Sequence, residues 1–308
     1  MNRRLASRAI ALVLAALMVP AWGAPGEPAA MAIAQAARLD AVLAKGDAPG
    51  ARPIEERIRA LGAGALGAVE REAQAGNVEA RFAAGLFLSR GLLAVKDAAR
   101  ACAYFAQVAE RGHVAGNYHA ALCLLNEDPP RAARLMQVAA ARRHPAAQEA
   151  IGRACLEERP ARNLDCAVRN LAAAAKAGRP SAQSLFAWMH GMGIGVEREP
   201  ITALALYLLA ARRGDLAAQN NLGELYETGV EASLERNPHR AALWYECAAL
   251  GGFGPAQYNL GRLYATGAGV EYDPELARSW LARAEAGGVP AAAALLQQLG
   301  TERPPPPR

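Results

Sequence analysis

Residues 218–229 read AQNNLGELYETG, and residues 256–270 read AQYNLGRLYATGAGV. Small and apolar positions return at intervals of three and four, as in Ala256, Leu260, Gly261, Leu263 and Tyr264, which is the period of an amphipathic helix. Each stretch is followed by a second helical pattern, AALWYECAALGG at 241–252 and ARSWLARAEAGG at 277–288. Weaker copies of the first pattern stand at 80–88, 116–124, 147–155 and 182–190. The second helices close on Gly76, Gly112, Gly178, Gly214, Gly252 and Gly288, with Arg143 once in place of glycine. The steps between these anchors are 36, 31, 35, 36, 38 and 36 residues. Glycine suits such a position because a left-handed C-cap costs it least.

This spacing predicts an all-α chain of helix-turn-helix units, about six of them over 77–288. Small residues such as Ala256 and Gly261 let backbones approach, and Leu260, Leu263 and Trp280 fill the gaps. One unit cannot bury its apolar face alone, so the units stack as a right-handed superhelical solenoid. Helices over 53–75 and 290–299 are expected to cap the stack, giving a solenoid at 53–300. Residues 24–52 read as an N-terminal helix (28–45) and a joint (Ala48–Pro53), and 301–308 as an extended Pro-rich tail.

The pattern A-Q-x-N-L-G-x-L-Y, a G-x-G-V turn and A-x-x-W-Y-x-x-A-A-x-x-G resembles the SEL-one-like repeat (SLR) family, a branch of the tetratricopeptide-like α-solenoids. The resemblance is strongest at 215–288 and weakest in the units at 113–143 and 144–178, where Asn170 replaces the Trp. It implies an adaptor that binds a protein or peptide along the first helices. It also carries over a candidate groove: Asn221 and Asn259 at a position where Asn can grip a peptide backbone, with His119 in the same register. The variable site nearby holds Arg153, Trp188, Glu224 and Arg262. Two alternatives follow from the same resemblance: a cell-envelope factor serving a peptidoglycan or polysaccharide complex, and a β-lactamase-like enzyme of the cysteine-rich SLR type.

The N-terminus adds a compartment. Arg3, Arg4 and Arg8 precede an apolar run from Ala9 to Val19 and a small-residue exit at Ala21-Trp22-Gly23. This reads as a secretory signal peptide over 1–23, placing the mature chain in the periplasm or outside the cell. Without those three arginines the net charge of +5 falls to +2, and acids and bases are interspersed, so no nucleic-acid surface is indicated. No later segment reads as a membrane span.

An exported chain can form disulfides. Cys155 and Cys166 flank a hairpin turn centred near Pro160, and Cys102 and Cys123 lie ten before and eleven after the Gly112 turn. The expected pairs are Cys102–Cys123 and Cys155–Cys166, leaving Cys247 as a free thiol or an intermolecular link.

Catalytic signatures are not found. The sequence has no H-E-x-x-H, no G-x-S-x-G and no Walker loop. Its three lysines, Lys45, Lys96 and Lys176, never follow a serine by three, as a serine β-lactamase would need. The five histidines do not pair at metal-ligand spacing. The run Gly191-Met192-Gly193-Ile194-Gly195-Val196 has the look of a phosphate cradle, but it overlays Ala265–Val270 in repeat register and reads as an inter-helix turn. The expectation is a non-catalytic scaffold with no cofactor and no metal.

Overall fold

The computed structural model describes residues 27–157, 163–230 and 234–301. The expected signal peptide, the Pro160 turn and the Pro-rich tail beyond Thr301 lie outside the described residues. Those described form sixteen α-helices and no strand, with one isolated bridge between Val230 and Leu234.

Three helices precede the repeats: α1 (Glu27–Ala44), α2 (Ala48–Ala60) and α3 (Gly64–Gln74). The six helix pairs follow: α4 (Val78–Arg90) with α5 (Ala98–Glu110), α6 (Val114–Leu124) with α7 (Pro129–Ala141), and α8 (Pro145–Glu157) with α9 (Leu164–Lys176). Next come α10 (Pro180–Met192) with α11 (Pro200–Ala211), α12 (Leu216–Thr228) with α13 (Pro238–Leu250), and α14 (Gly254–Thr266) with α15 (Pro274–Ala286). Helix α16 (Pro290–Thr301) ends the stack.

Two details differ from the sequence reading. The expected joint at Ala48–Pro53 is the first part of α2: Asp47 accepts from the Gly50 amide at 3.0 Å and nucleates the turn, which carries Pro53 within it. The expected single helix over 53–75 is broken by Gly62, whose φ of +77° ends α2 before α3 begins.

The chain divides into two compact units, one of residues up to Arg38 with Ile54–Tyr104, the other of Leu39–Pro53 with Phe105–Arg308. In the first, α3 packs on α4 around Leu66, Val69, Phe82 and Phe87, and Arg90 and Arg100 pair with Glu55 and Glu70. In the second, helices from α6 to α16 each pack on their neighbours in sequence. The first helices also meet one another, α10 with α12 and α14 with α16.

Local signals explain the boundaries. Five of the six second helices begin after an Asx cap: Asp97, Asp128, Asn163, Asn237 and Asp273 each accept from the backbone amide three residues on, at 2.9–3.0 Å, while Glu199 before α11 makes no such bond. They end on the anchor glycines, all at positive φ, and Arg143 takes the same conformation at φ +65°. A non-glycine residue is strained there, so Arg143→Gly is expected to stabilise the chain by about 1 kcal/mol, read as a raised denaturant midpoint. An unchanged or lowered midpoint would show that the Arg143 side chain compensates.

Helix pairs close on small residues. A Cβ on Gly152 would lie 2.7 Å from Leu171 Cγ, one on Gly261 2.8 Å from Leu281 Cγ, and one on Gly223 would enter the Tyr245 ring. The A-Q dipeptide ties units together. The Gln183, Gln219 and Gln257 amides donate to the carbonyls of Ala175, Ala211 and Ala249 at 3.1–3.2 Å, each satisfying an orphan acceptor in the last turn of the preceding second helix. Arg142 donates to the Gly112 carbonyl at 2.6 Å, and Arg213 makes the equivalent bond to Gly178.

The glycine run serves this packing. Gly191 belongs to α10, while Gly193 and Gly195 turn the chain at φ +69° and +70°. Ile194 and Val196 pack onto the buried cluster of Leu156, Leu171 and Met189.

Candidate functional site

The face built by α6, α8, α10, α12 and α14 carries every residue that the sequence placed in a groove. It holds two distinct arrangements. The more C-terminal one is open. Trp188 of α10, Tyr207 of α11, and Asn221, Glu224 and Leu225 of α12 line a recess of about 420 Å³ that also reaches Met192 and Val230. Trp188 is half-buried between two apolar clusters, and Glu224 is exposed. Asn221 hydrogen-bonds the Tyr207 hydroxyl, whose pKa burial pushes up to about 12, so the phenol stays protonated at any physiological pH.

Asn259 and Arg262 of α14 lie beside this recess and are held by neighbouring polar groups. Asn259 donates to Asn220 Oδ1 at 3.0 Å, and Asn220 donates to Glu224 Oε1 at 2.8 Å. Arg262 donates to Glu227 Oε2 at 2.6 Å, and the buried Tyr245 hydroxyl donates to the same oxygen at 3.0 Å. Burial alone would raise the Glu227 pKa, but Arg262 and Tyr245 hold it below its ordinary value. Of these groups only Glu224 lines the recess, and Asn220 holds its carboxylate from behind.

His119 and Arg153 fall in the second arrangement, which is filled by the chain itself. His119 Nε2 meets Asp40 Oδ1, in the last part of α1, at 2.9 Å. Phe105 stacks on the His119 ring at 4.7 Å, and Tyr118 meets it edge-on at 5.2 Å. Arg179, at the N-cap position of α10, donates to the Ala44 carbonyl at 2.8 Å. The same guanidinium pairs with the buried Glu149, which also accepts from Ser181 at 2.7 Å and from Arg153 at 3.2 Å. Burial would raise the Glu149 pKa; the Ser181 hydroxyl and the two guanidiniums outweigh it and keep the carboxylate charged.

His144 lies close by, 5 % exposed and stacked on Tyr118 at 4.5 Å. Its Nδ1 accepts from the Ala147 amide at 3.4 Å, which leaves the proton on Nε2, and that atom is buried without a hydrogen-bond partner.

Among the cysteines, Cys155 and Cys166 are joined, with their Cα atoms 6.0 Å apart. Cys102 and Cys123 are disulfide-bonded cysteines too, and Cys247 is a free, exposed thiol. Among the described residues no group of three His, Cys, Asp or Glu stands close enough to hold a metal ion, and no helix is long and apolar enough to cross a membrane.

Sequence reasoning missed Asp40, Glu149, Arg179, Asn220 and Glu227. For Arg179 a signal existed. Four of the equivalent first-helix caps, Asn77, His113, His144 and Asp215, accept from the amide three residues on, while Phe253 before α14 makes no such bond. Arginine cannot accept either, and unlike Phe253 it brings a charge to that position, which calls for a partner elsewhere.

The Sel1 repeat family model matches residues 78–113, 180–215, 216–253 and 254–289, which are the pairs α4–α5, α10–α11, α12–α13 and α14–α15. The chain is a Sel1-repeat protein. Its fold resembles the crystal structure of a protective antigen from uropathogenic Escherichia coli strains that displays an SLR fold, at a TM-score of 0.63 and 27% identity over 76% of this chain. The chain spans about half (51%) of that protein's length. A Sel1 repeat protein from Oxalobacter formigenes matches at a TM-score of 0.60 and 27% identity, over 76% of this chain and 69% of the other. No curated protein matches the sequence. Solenoids of Sel1 repeats typically serve as protein-interaction scaffolds. The two helix pairs that the family model passes over, α6–α7 and α8–α9, carry His119, His144, Glu149 and Arg153.

Proposed function

We propose that this Sel1-repeat chain is an exported scaffold that acts by binding a protein or peptide segment along the face of its first helices, with the Trp188 recess as the anchor. The observation that carries the reading is the convergence of Trp188, Tyr207, Asn221 and Glu224 on one open recess. A concave apolar lining with a few placed polar groups is the usual make-up of a binding site, and Trp and Tyr supply most of the energy at such sites. Glu224 is held by Asn220, and Asn221 by the Tyr207 hydroxyl, so two of the recess's polar groups are ordered before anything binds. Export is supported by the signal-like N-terminus and by four cysteines in disulfides, which persist in oxidising compartments.

A photoreactive side chain at Glu224 in intact cells tests this reading. A discrete cross-linked partner is expected there, and none from the same probe at Leu250, 70 % exposed on a second helix. Equal labelling at both positions, or none at Glu224 in a folded chain, would sink it.

A further inference from the structure

Helix α1 ends with a problem that every helix has: its last carbonyls lack intrahelical donors. Here Gly46, at φ +73°, turns the chain, and its amide returns to Leu43. The Ala44 carbonyl is then taken by the Arg179 guanidinium, which comes from a position 135 residues later in the sequence. One turn earlier, Asp40 meets His119. The end of α1 is thus held at two points by side chains of the first-helix face, a cation on its carbonyl end and an imidazole on its acidic side chain.

The side chains that hold the end of α1 are themselves held by neighbours other than α1. Arg179 is oriented by Glu149, and Glu149 by Ser181 and Arg153. His119 is wedged between Phe105 and Tyr118. Tyr118 stacks in turn on His144, whose buried Nε2–H has no acceptor although Asp40 lies within electrostatic reach. A buried donor beside the cradle is thus left unpaired with Asp40–Ala44 in place. A buried donor left unmatched costs about 1–3 kcal/mol, which the holder of a better acceptor would recover. The cradle also falls where the chain departs from its own repeat: residues 114–179 lie outside the matched Sel1 repeats.

We propose that the cradle formed by His119, His144 and Arg179 is a second binding site of the scaffold, specific for the C-terminal end of a helix carrying an acidic residue one turn before its last carbonyl, and that Asp40–Ala44 is its built-in occupant. A partner bearing such an acidic helix end competes with the chain's own segment for the cradle. The occupant, being tethered, acts at an effective concentration in the millimolar range, so an external helix end binds weakly until Asp40–Ala44 is removed. This site is separate from the Trp188 recess, and its failure would leave the reading of that recess standing.

The test uses the full chain and a fluorescent synthetic peptide with the sequence of residues 27–46 as the probe. Anisotropy should show at least tenfold tighter binding to the Asp40→Arg variant than to the unchanged chain, since that substitution places a cation against His119 and Arg179 and expels the resident segment. A probe carrying asparagine at the position of Asp40 should lose at least tenfold in affinity for the same variant. Equal binding by the two chains, or equal binding of the two probes, overturns the proposal. If Asp40→Arg does not fold, hydrogen exchange on the unchanged chain decides. Amides of residues 41–46 exchanging well before those of α6 and α8 support a displaceable occupant. Exchange of both together only on unfolding makes the segment a permanent part of the core and overturns the proposal.

Discussion

Replacing Arg179 by alanine is expected to lower the stability of the unit containing Phe105–Arg308 by about 3 kcal/mol at neutral pH, the low end of the cost of orphaning one member of a buried ion pair. The side chains of Arg179 and Glu149 are 16% and 9% exposed, so little water can replace the lost partner. Arg153 still reaches Glu149 after the change, but its side chain is 44% exposed and restores only part of the charge balance. Two further bonds go with the guanidinium, including the one to Ala44. The pH dependence has a definite sign. Glu149 has a folded pKa below its ordinary value, so its contribution is present above about pH 4.5 and is lost as pH falls through the folded value. The penalty of Arg179→Ala should therefore shrink in acid. The double variant Arg179→Met with Glu149→Gln removes the charge along with its partner and should recover most of the loss. Trp188, Trp244 and Trp280 all lie in this unit, so denaturant unfolding followed by their fluorescence measures it. A loss under 1 kcal/mol would mean that Arg153 and Ser181 suffice to hold the carboxylate.

The architecture was legible because its signals are local and repeated. The anchor residues predicted left-handed caps, and Arg143 adopts the same conformation as the glycines it replaces in that register. The overlay of Gly191–Val196 on Ala265–Val270 identified a turn where a motif search would see a phosphate loop. Reading failed where proline was taken as a boundary: Pro53 lies inside α2, because the Asp47 cap had already started that helix. The site was legible only in part, and for a different reason. Repeat register places His119, Asn221 and Asn259 on one face, yet register says nothing of what meets them. Asp40 reaches His119 across 79 residues, and Arg179 reaches Ala44 across 135, with no periodicity to announce either contact. Asn221 and Asn259 were read as groups for gripping a peptide. The structure engages them with Tyr207 and Asn220.

His144 should make the same unit acid-sensitive in a window that no surface histidine would produce. Burial is the main cause of its lowered pKa, about 4 against an ordinary 6.5. Among its charged surroundings Asp40 favours the protonated ring, while His119, Arg179 and His113 oppose it. A histidine whose folded pKa is depressed contributes stability that is complete above its unfolded pKa. As pH falls below 6.5 the unfolded chain takes up a proton that the folded ring refuses, so stability declines, and the decline ends near pH 4, where the folded ring protonates too. Each unit of difference is worth about 1.4 kcal/mol, so the full loss across the window is on the order of 3 kcal/mol. His144→Asn keeps an acceptor for the Ala147 amide, because asparagine is a good N-cap, and deletes the titrating ring. Its stability will be offset at every pH by the lost stacking on Tyr118, which does not titrate in this range, so the slope is the readout. Unfolding free energies measured at intervals from pH 7 to pH 4 should fall less steeply for His144→Asn than for the unchanged chain. Parallel curves would mean that acid reaches this unit through Glu149 or other carboxylates, and that the buried ring accepts a proton as readily in the fold as out of it.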